Sequence, residues 1–147
     1  MKQIYFLNII IMCIVASFAF SSCHLEASDN GDLDGFWQLT TVDTLSTGGT
    51  QEVKSAEIFW AFQFRLLQVR DINENRYNIR FKHENNMLKL YDPYRDKRES
   101  GDEKVTDPAV LAKYGINALE ELFTVECLDS EKMLLKSDKL RLIFRRY

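Results

Sequence analysis

From Phe36 onward the chain alternates apolar and polar residues in short runs broken by turn residues, and this period of two constrains the fold more than anything else in it. Alternation sends successive side chains to opposite faces of a strand, so a series of such runs predicts an antiparallel sheet with one buried face. Tyr77, Ile79 and Phe81 alternate with Asn78, Arg80 and Lys82, and Glu84-Asn85-Asn86 then turns the chain into Met87 to Tyr91, with Leu88 and Leu90 inward. Phe123-Val125-Cys127, Met133-Leu135 and Leu140-Leu142-Phe144 read as three further strands, joined by Asp129-Ser130-Glu131 and Ser137-Asp138. Strands that follow one another in this way form a meander. Cys127 lies on the inward set and reads as a buried core thiol, not a nucleophile.

The run from Glu57 to Arg70 is long enough for one strand that bends around a barrel, with Trp60, Phe62, Phe64 and Leu66 on one face. The other face carries Phe59, Ala61, Gln63, Arg65, Leu67 and Val69, a mixture that predicts a bulge near Leu66 and Leu67 swapping the two faces. Aromatic density and the polar positions Gln63 and Arg65 favour a strand over a buried helix. One short helix is signalled before the last three strands. It has Thr106 or Asp107 as N-cap, Pro108 at its first position, Ala109 to Tyr114 as its body and Gly115 just past its end. Asn117, with Glu120 three residues on, predicts a second capped turn. Asp92 to Lys104, with Pro93, Gly101 and many charges, reads as a mobile loop.

The 19 Lys and Arg are scattered among 22 Asp and Glu, a pattern that argues against a nucleic-acid partner, which would call for a basic face. At the N-terminus, Lys2 precedes Ile9 to Ala16, an apolar stretch of signal-peptide length and too short for a membrane span. It runs into Phe20-Ser21-Ser22-Cys23. Here the chain resembles a bacterial lipoprotein precursor. The resemblance implies that residues 1–22 are a signal cleaved before Cys23, and that Cys23 then carries a diacylglyceryl thioether and an acylated amine. Two or more acyl chains anchor a protein stably, so the implied partner is a membrane that the chain does not span. His24 stands where such lipoproteins carry an Asp when they stay in the inner membrane, which favours the outer membrane. Residues 23–34, short and acidic, read as a flexible tether, and residues 35–147 as one folded domain. With Cys13 inside the signal and Cys23 lipidated, Cys127 has no partner for an internal disulfide.

Gly35-Phe36-Trp37 opens the first strand, after Asp34 and ahead of the alternating Gln38 to Asp43. In this motif and in its strand succession the chain resembles the lipocalin-like, or calycin, families, closest to the small lipocalin-like domains of unknown function found in bacterial lipoproteins. The resemblance implies an all-β, antiparallel up-and-down barrel, here of about seven or eight strands; the short helix before the last three is a departure from the family's pattern. The resemblance also implies that Trp37, next to Gly35, closes the barrel's base and that a basic residue of the last strand packs over it. Arg141, Arg145 and Arg146 are candidates, with Arg145 favoured. The mid-chain Thr-Asp motif of the family has no counterpart here, and only seven strands can be counted.

The sequence shows no phosphate loop, no nucleophile elbow and no Cys or His pairing of metal type. Asn30-x-Asp32-x-Asp34-Gly35 begins like a calcium loop, but its twelfth position is Thr41 where a bidentate Glu is required. His24 and His83 stand apart, and the adjacent acids Asp102-Glu103 and Glu120-Glu121 do not converge as a catalytic pair must. The expectation is a non-enzymatic protein with no metal and no cofactor. Trp60, Phe62, Phe64, Tyr77 and Phe81 are the candidates for lining a cup that binds a small apolar or amphipathic ligand. An eight-stranded barrel can equally be filled by such side chains. In that alternative the chain is an interaction subunit of an envelope protein complex, with residues 92–121 as its contact surface.

Overall fold

The computed structural model describes residues 28–97 and 99–147, so the signal, Cys13, Cys23 and His24 lie outside the described residues. Among the described residues ten strands form one sheet: β1 (Gly35–Thr44), β2 (Gly49–Glu52), β3 (Phe59–Gln63), β4 (Leu66–Arg70), β5 (Arg76–Glu84), β6 (Met87–Arg95), β7 (Glu103–Lys104), β8 (Glu121–Leu128), β9 (Lys132–Lys136) and β10 (Leu140–Arg146). Antiparallel pairing runs β1-β3-β4-β5-β6-β8-β9-β10, and β10 returns to β1 from Trp37↔Arg146 to Thr44↔Leu140. The sheet is thus a closed up-and-down barrel of eight strands. β2 pairs with the far half of β1, and β7 with the end of β6.

The eighth strand comes from the Glu57–Arg70 run, which is a hairpin and not one bent strand. β3 and β4 pair from Phe59↔Arg70 to Gln63↔Leu66, with Phe64 and Arg65 alone in the turn and Phe64 at φ +54°. The expected face swap is present, but a two-residue turn causes it and not a bulge. Phe62 points inward before the turn and Leu67 and Val69 after it, whereas Phe64 and Leu66 are exposed. Aromatic residues seldom occupy left-handed turn positions, so nothing in the local pattern marked this one.

Part of the stretch read as a mobile loop is strand. β6 continues through Tyr94 and Arg95, which pair with Lys104 and Glu103. A register shift accommodates Asp92, at φ +54°, and Pro93. A bulge is one of the few places where a strand tolerates proline. A second shift, between Val125 and Cys127, turns Cys127 out of the inward set, and its side chain is half-buried beside Asp129 instead of lying in the core.

The short helix lies where its signals placed it, over Pro108–Tyr114, but is wound as a tighter 3₁₀ helix. Asp107 accepts a hydrogen bond from the Ala109 N–H at 2.9 Å, and Gly115 ends it at φ +86°. A Cβ on Gly115 would also lie 2.7 Å from Leu142 Cδ2. The proposed second turn does not form, because the Glu121 carboxylate accepts the Asn117 N–H in place of a Glu120 cap.

The core fills the barrel. Trp37, Leu39, Trp60, Leu67, Val69, Leu88, Phe123, Met133, Leu135 and Leu142 are fully buried within it. At one pole, the base, lie the start of β1 and the hairpins after β3, β5 and β8. A 3₁₀ turn, Gly31–Leu33, packs there with Leu33 fully buried, so the part of the expected tether after residue 27 is built onto the barrel. At the opposite pole, the mouth, lie the β1–β3 connection, the Asp71–Asn75 turn and the 96–120 excursion.

Candidate functional site

Four of the five candidate lining residues meet inside the barrel. Trp60, Phe62, Tyr77 and Phe81 are all at least nine-tenths buried. Phe62 packs edge-on to Phe81 with ring centroids 5.1 Å apart, and Trp60 lies 6.1 Å from Phe62, 6.0 Å from Phe123 and 4.9 Å from Phe144. These spacings are those of aromatic rings in direct contact. The fifth candidate, Phe64, is 45% exposed at the base hairpin and does not belong to this wall.

Inside the mouth the wall is covered by a segment that is not part of the barrel. Val105, Leu111, Tyr114 and Ile116 of the 3₁₀ helix region point inward and are buried. Tyr114 packs edge-on to Tyr77 with ring centroids 5.6 Å apart, and its backbone carbonyl accepts a hydrogen bond from Trp60 Nε1 at 3.1 Å. The segment therefore plugs the mouth, in contact with two of the candidate residues. Outside it, Tyr77, Arg95, Val105 and Val110 line a shallow cleft of about 140 Å³.

A polar clasp fastens the plug to the β4–β5 turn. Asp71, almost wholly buried, accepts hydrogen bonds from the Asn73 and Asn75 backbone N–H groups at 3.0 and 3.2 Å. The same carboxylate is ion-paired with Lys113 and accepts from the Tyr114 hydroxyl at 3.3 Å. Burial pushes the Asp71 pKa up, but the bonds from Lys113 and Asn75 outweigh it and hold the carboxyl below its ordinary value. Burial, with the Asp71 charge beside it, raises the Tyr114 phenol well above the ordinary tyrosine range. The sequence reading missed Asp71, Lys113 and Tyr114 as a group. The available signals were an Asp at the head of an Asx-type turn, Asp71 to Asn75, and a tyrosine next to the helix-ending glycine.

At the base, the cation over Trp37 belongs to Arg146, not Arg145. Its guanidinium lies 4.8 Å from the indole centroid and donates to the Asp32 carbonyl at 2.8 Å. The reason is strand alternation. Trp37 and Arg146 are direct partners across β1 and β10, and Arg145 pairs with Gln38 and faces the outside. There its Nε donates to the buried Gln38 side chain at 2.8 Å, in an open cleft shared with Lys54, Phe59, Arg70 and Tyr147. Trp37 Nε1 donates to the Leu33 carbonyl at 2.9 Å, tying the 3₁₀ turn to the barrel floor.

A family model described as a lipocalin-like domain matches residues 18–147. Among solved structures, a lipocalin-like protein from Bacteroides uniformis ATCC 8492 is similar with a TM-score of 0.60 at 21% identity, over 80% of this chain and 100% of that one. An uncharacterized protein from Bacteroides eggerthii DSM 20697 is similar with a TM-score of 0.57 at 19% identity, over 78% and 98%. A protein from Burkholderia xenovorans, solved by NMR, reaches 0.52 at 19% identity, over 78% and 82%. Identities this low speak for a shared fold alone. No curated protein matches the chain.

Proposed function

Because the chain belongs to the lipocalin-like domain family, we propose that it is a non-enzymatic binding protein, lipid-anchored to the outer membrane through Cys23, whose barrel takes up a small apolar or amphipathic molecule. One observation carries this reading: the mouth is closed by a separate segment held on a polar, titratable clasp, with no barrel strand across it. Withdrawal of that segment uncovers Trp60 and Tyr77 without breaking a strand pair of the barrel. The space a ligand takes is then the space that Leu111, Tyr114 and Ile116 fill in the closed form. Such a site has the usual make-up of a small-molecule pocket, an apolar wall with a few polar groups at one end. The polar groups left here when the segment withdraws are Trp60 Nε1, freed from the Tyr114 carbonyl, and Asp71.

The close packing of Trp60, Phe62, Phe81, Phe123 and Phe144 favours a second reading, a permanently filled barrel that serves as an interaction subunit of an envelope complex. Native mass spectrometry of the chain recovered from its host envelope separates the two. A discrete small-molecule mass that leaves on denaturation is the result expected. No added mass, with one protein chain repeatedly co-purifying, overturns the binding reading and leaves the interaction subunit.

A further inference from the structure

Phe64 is a large aromatic side chain held at φ +54° in a tight turn, and it is 45% exposed. Folding offers no reason for it. The neighbouring β5–β6 turn at the same pole carries Asn85 and Asn86 at φ 49° and 60°, the residue type that such positions favour. The β8–β9 turn is likewise polar, Asp129-Ser130-Glu131. Phe64 is also not alone, since Leu66 and Phe36 on the same outer wall are 44% and 37% exposed. Phe36, Ala61, Phe62 and Phe64 line one open cleft of about 450 Å³ together with Ser28 and Asp34. Ser28 is the first described residue, and Asn30 next to it donates to the Phe64 carbonyl at 2.6 Å. The chain thus enters the folded body at the apolar hairpin itself.

We propose that this face of the base, with Phe64 and Leu66 at its tip, seats in the membrane that holds the protein. The inference rests on the reading of Cys23 as the lipidated residue. Ser28 follows Cys23 by five residues, which span at most about 18 Å in any conformation. β3 and β4, which flank the hairpin where Ser28 enters, have five residues each, about 17 Å of strand, and a tilt near 40° sets the mouth roughly 13 Å above the base on this side. A mouth-down orientation would use most of the tether's reach on the height of that wall alone, so the exposed Ile72 and Val110 of the mouth are the less favoured membrane face. Base-down, the apolar hairpin lies within reach, and the mouth with its plug faces away from the bilayer. An exposed aromatic in a strained turn is thereby accounted for as a membrane contact.

The test uses the mature, lipidated chain in vesicles of phosphatidylethanolamine and phosphatidylglycerol, with Cys127→Ser and a nitroxide on Phe64→Cys, Leu66→Cys or, as the mouth control, Ile72→Cys. Relaxation by oxygen, which partitions into the bilayer, is compared with relaxation by a water-soluble nickel chelate. The expected result is an oxygen-to-nickel ratio severalfold higher at 64 and 66 than at 72. A lipidated chain with equal ratios at the two poles overturns the seating and leaves the anchor intact. An intact mass without acyl chains on Cys23 overturns both.

Discussion

Gly35 has φ +118°, and a Cβ built on it would lie 2.8 Å from Nη2 of Arg146. The glycine of the opening motif is therefore required by its own backbone, and a side chain there would also push aside the guanidinium that covers Trp37. Gly35→Ala is expected to lower stability by about 1–3 kcal/mol, read as a lower urea midpoint. Arg146→Ala should shift Trp37 fluorescence to longer wavelength by admitting water to the indole, and Arg145→Ala should not, because Arg145 faces the other side of β10. Gly35 and Trp37 were legible in the sequence as a motif. The choice between two adjacent arginines was not, because alternation makes neighbours face opposite ways and only the β1–β10 register says which one meets Trp37.

Among the elements, the plug over Pro108–Tyr114 is the most consequential. Its start and stop were readable from Asp107, Pro108 and Gly115, since caps are local chemistry. Its destination was not readable. Leu111 and Tyr114 turn inward where Trp60 and Tyr77 receive them, with Asp71, some forty positions earlier, holding Lys113 and the Tyr114 hydroxyl. The clasp has a signed pH dependence. The folded pKa of Asp71 lies below its ordinary value, so its stabilisation is complete above about pH 3.9, the unfolded value, and is lost as pH falls through the lower folded one. The raised Tyr114 pKa works at the other end, favouring the closed plug below about pH 10 and opposing it as pH rises further. Asn75 and Lys113 face Asp71, and Tyr77 and Arg95 lie near the Tyr114 hydroxyl, so these groups set both limits. Asp71→Asn should cost about 1–2 kcal/mol at pH 7, the Lys113 end being half exposed and screened. Urea denaturation at pH 7 and pH 3 checks this: the variant should lose less stability on acidification than the parent. Amide exchange over 111–116 should quicken in the variant at pH 7, and unchanged protection there would count against the clasp.

For the whole molecule, the anchoring prediction is the most exposed. Cys23→Ala should abolish acyl labelling and release the chain from the envelope fraction, and labelling that persists in the variant would remove the lipoprotein reading. By itself the sequence determined the class of the fold, the positions of most strands, the caps of the plug and the Gly35-Trp37 motif. All of these follow from side-chain alternation and local turn chemistry. Only the tertiary structure decided that Glu57–Arg70 is two strands, and so that the barrel has eight. It also decided that Phe64 faces outward, that Cys127 leaves the core at a bulge and that the mouth is plugged. Each of these depends on which residues lie opposite one another across the barrel, and pairing between distant strands is set by closure of the whole sheet, not by any window of the chain.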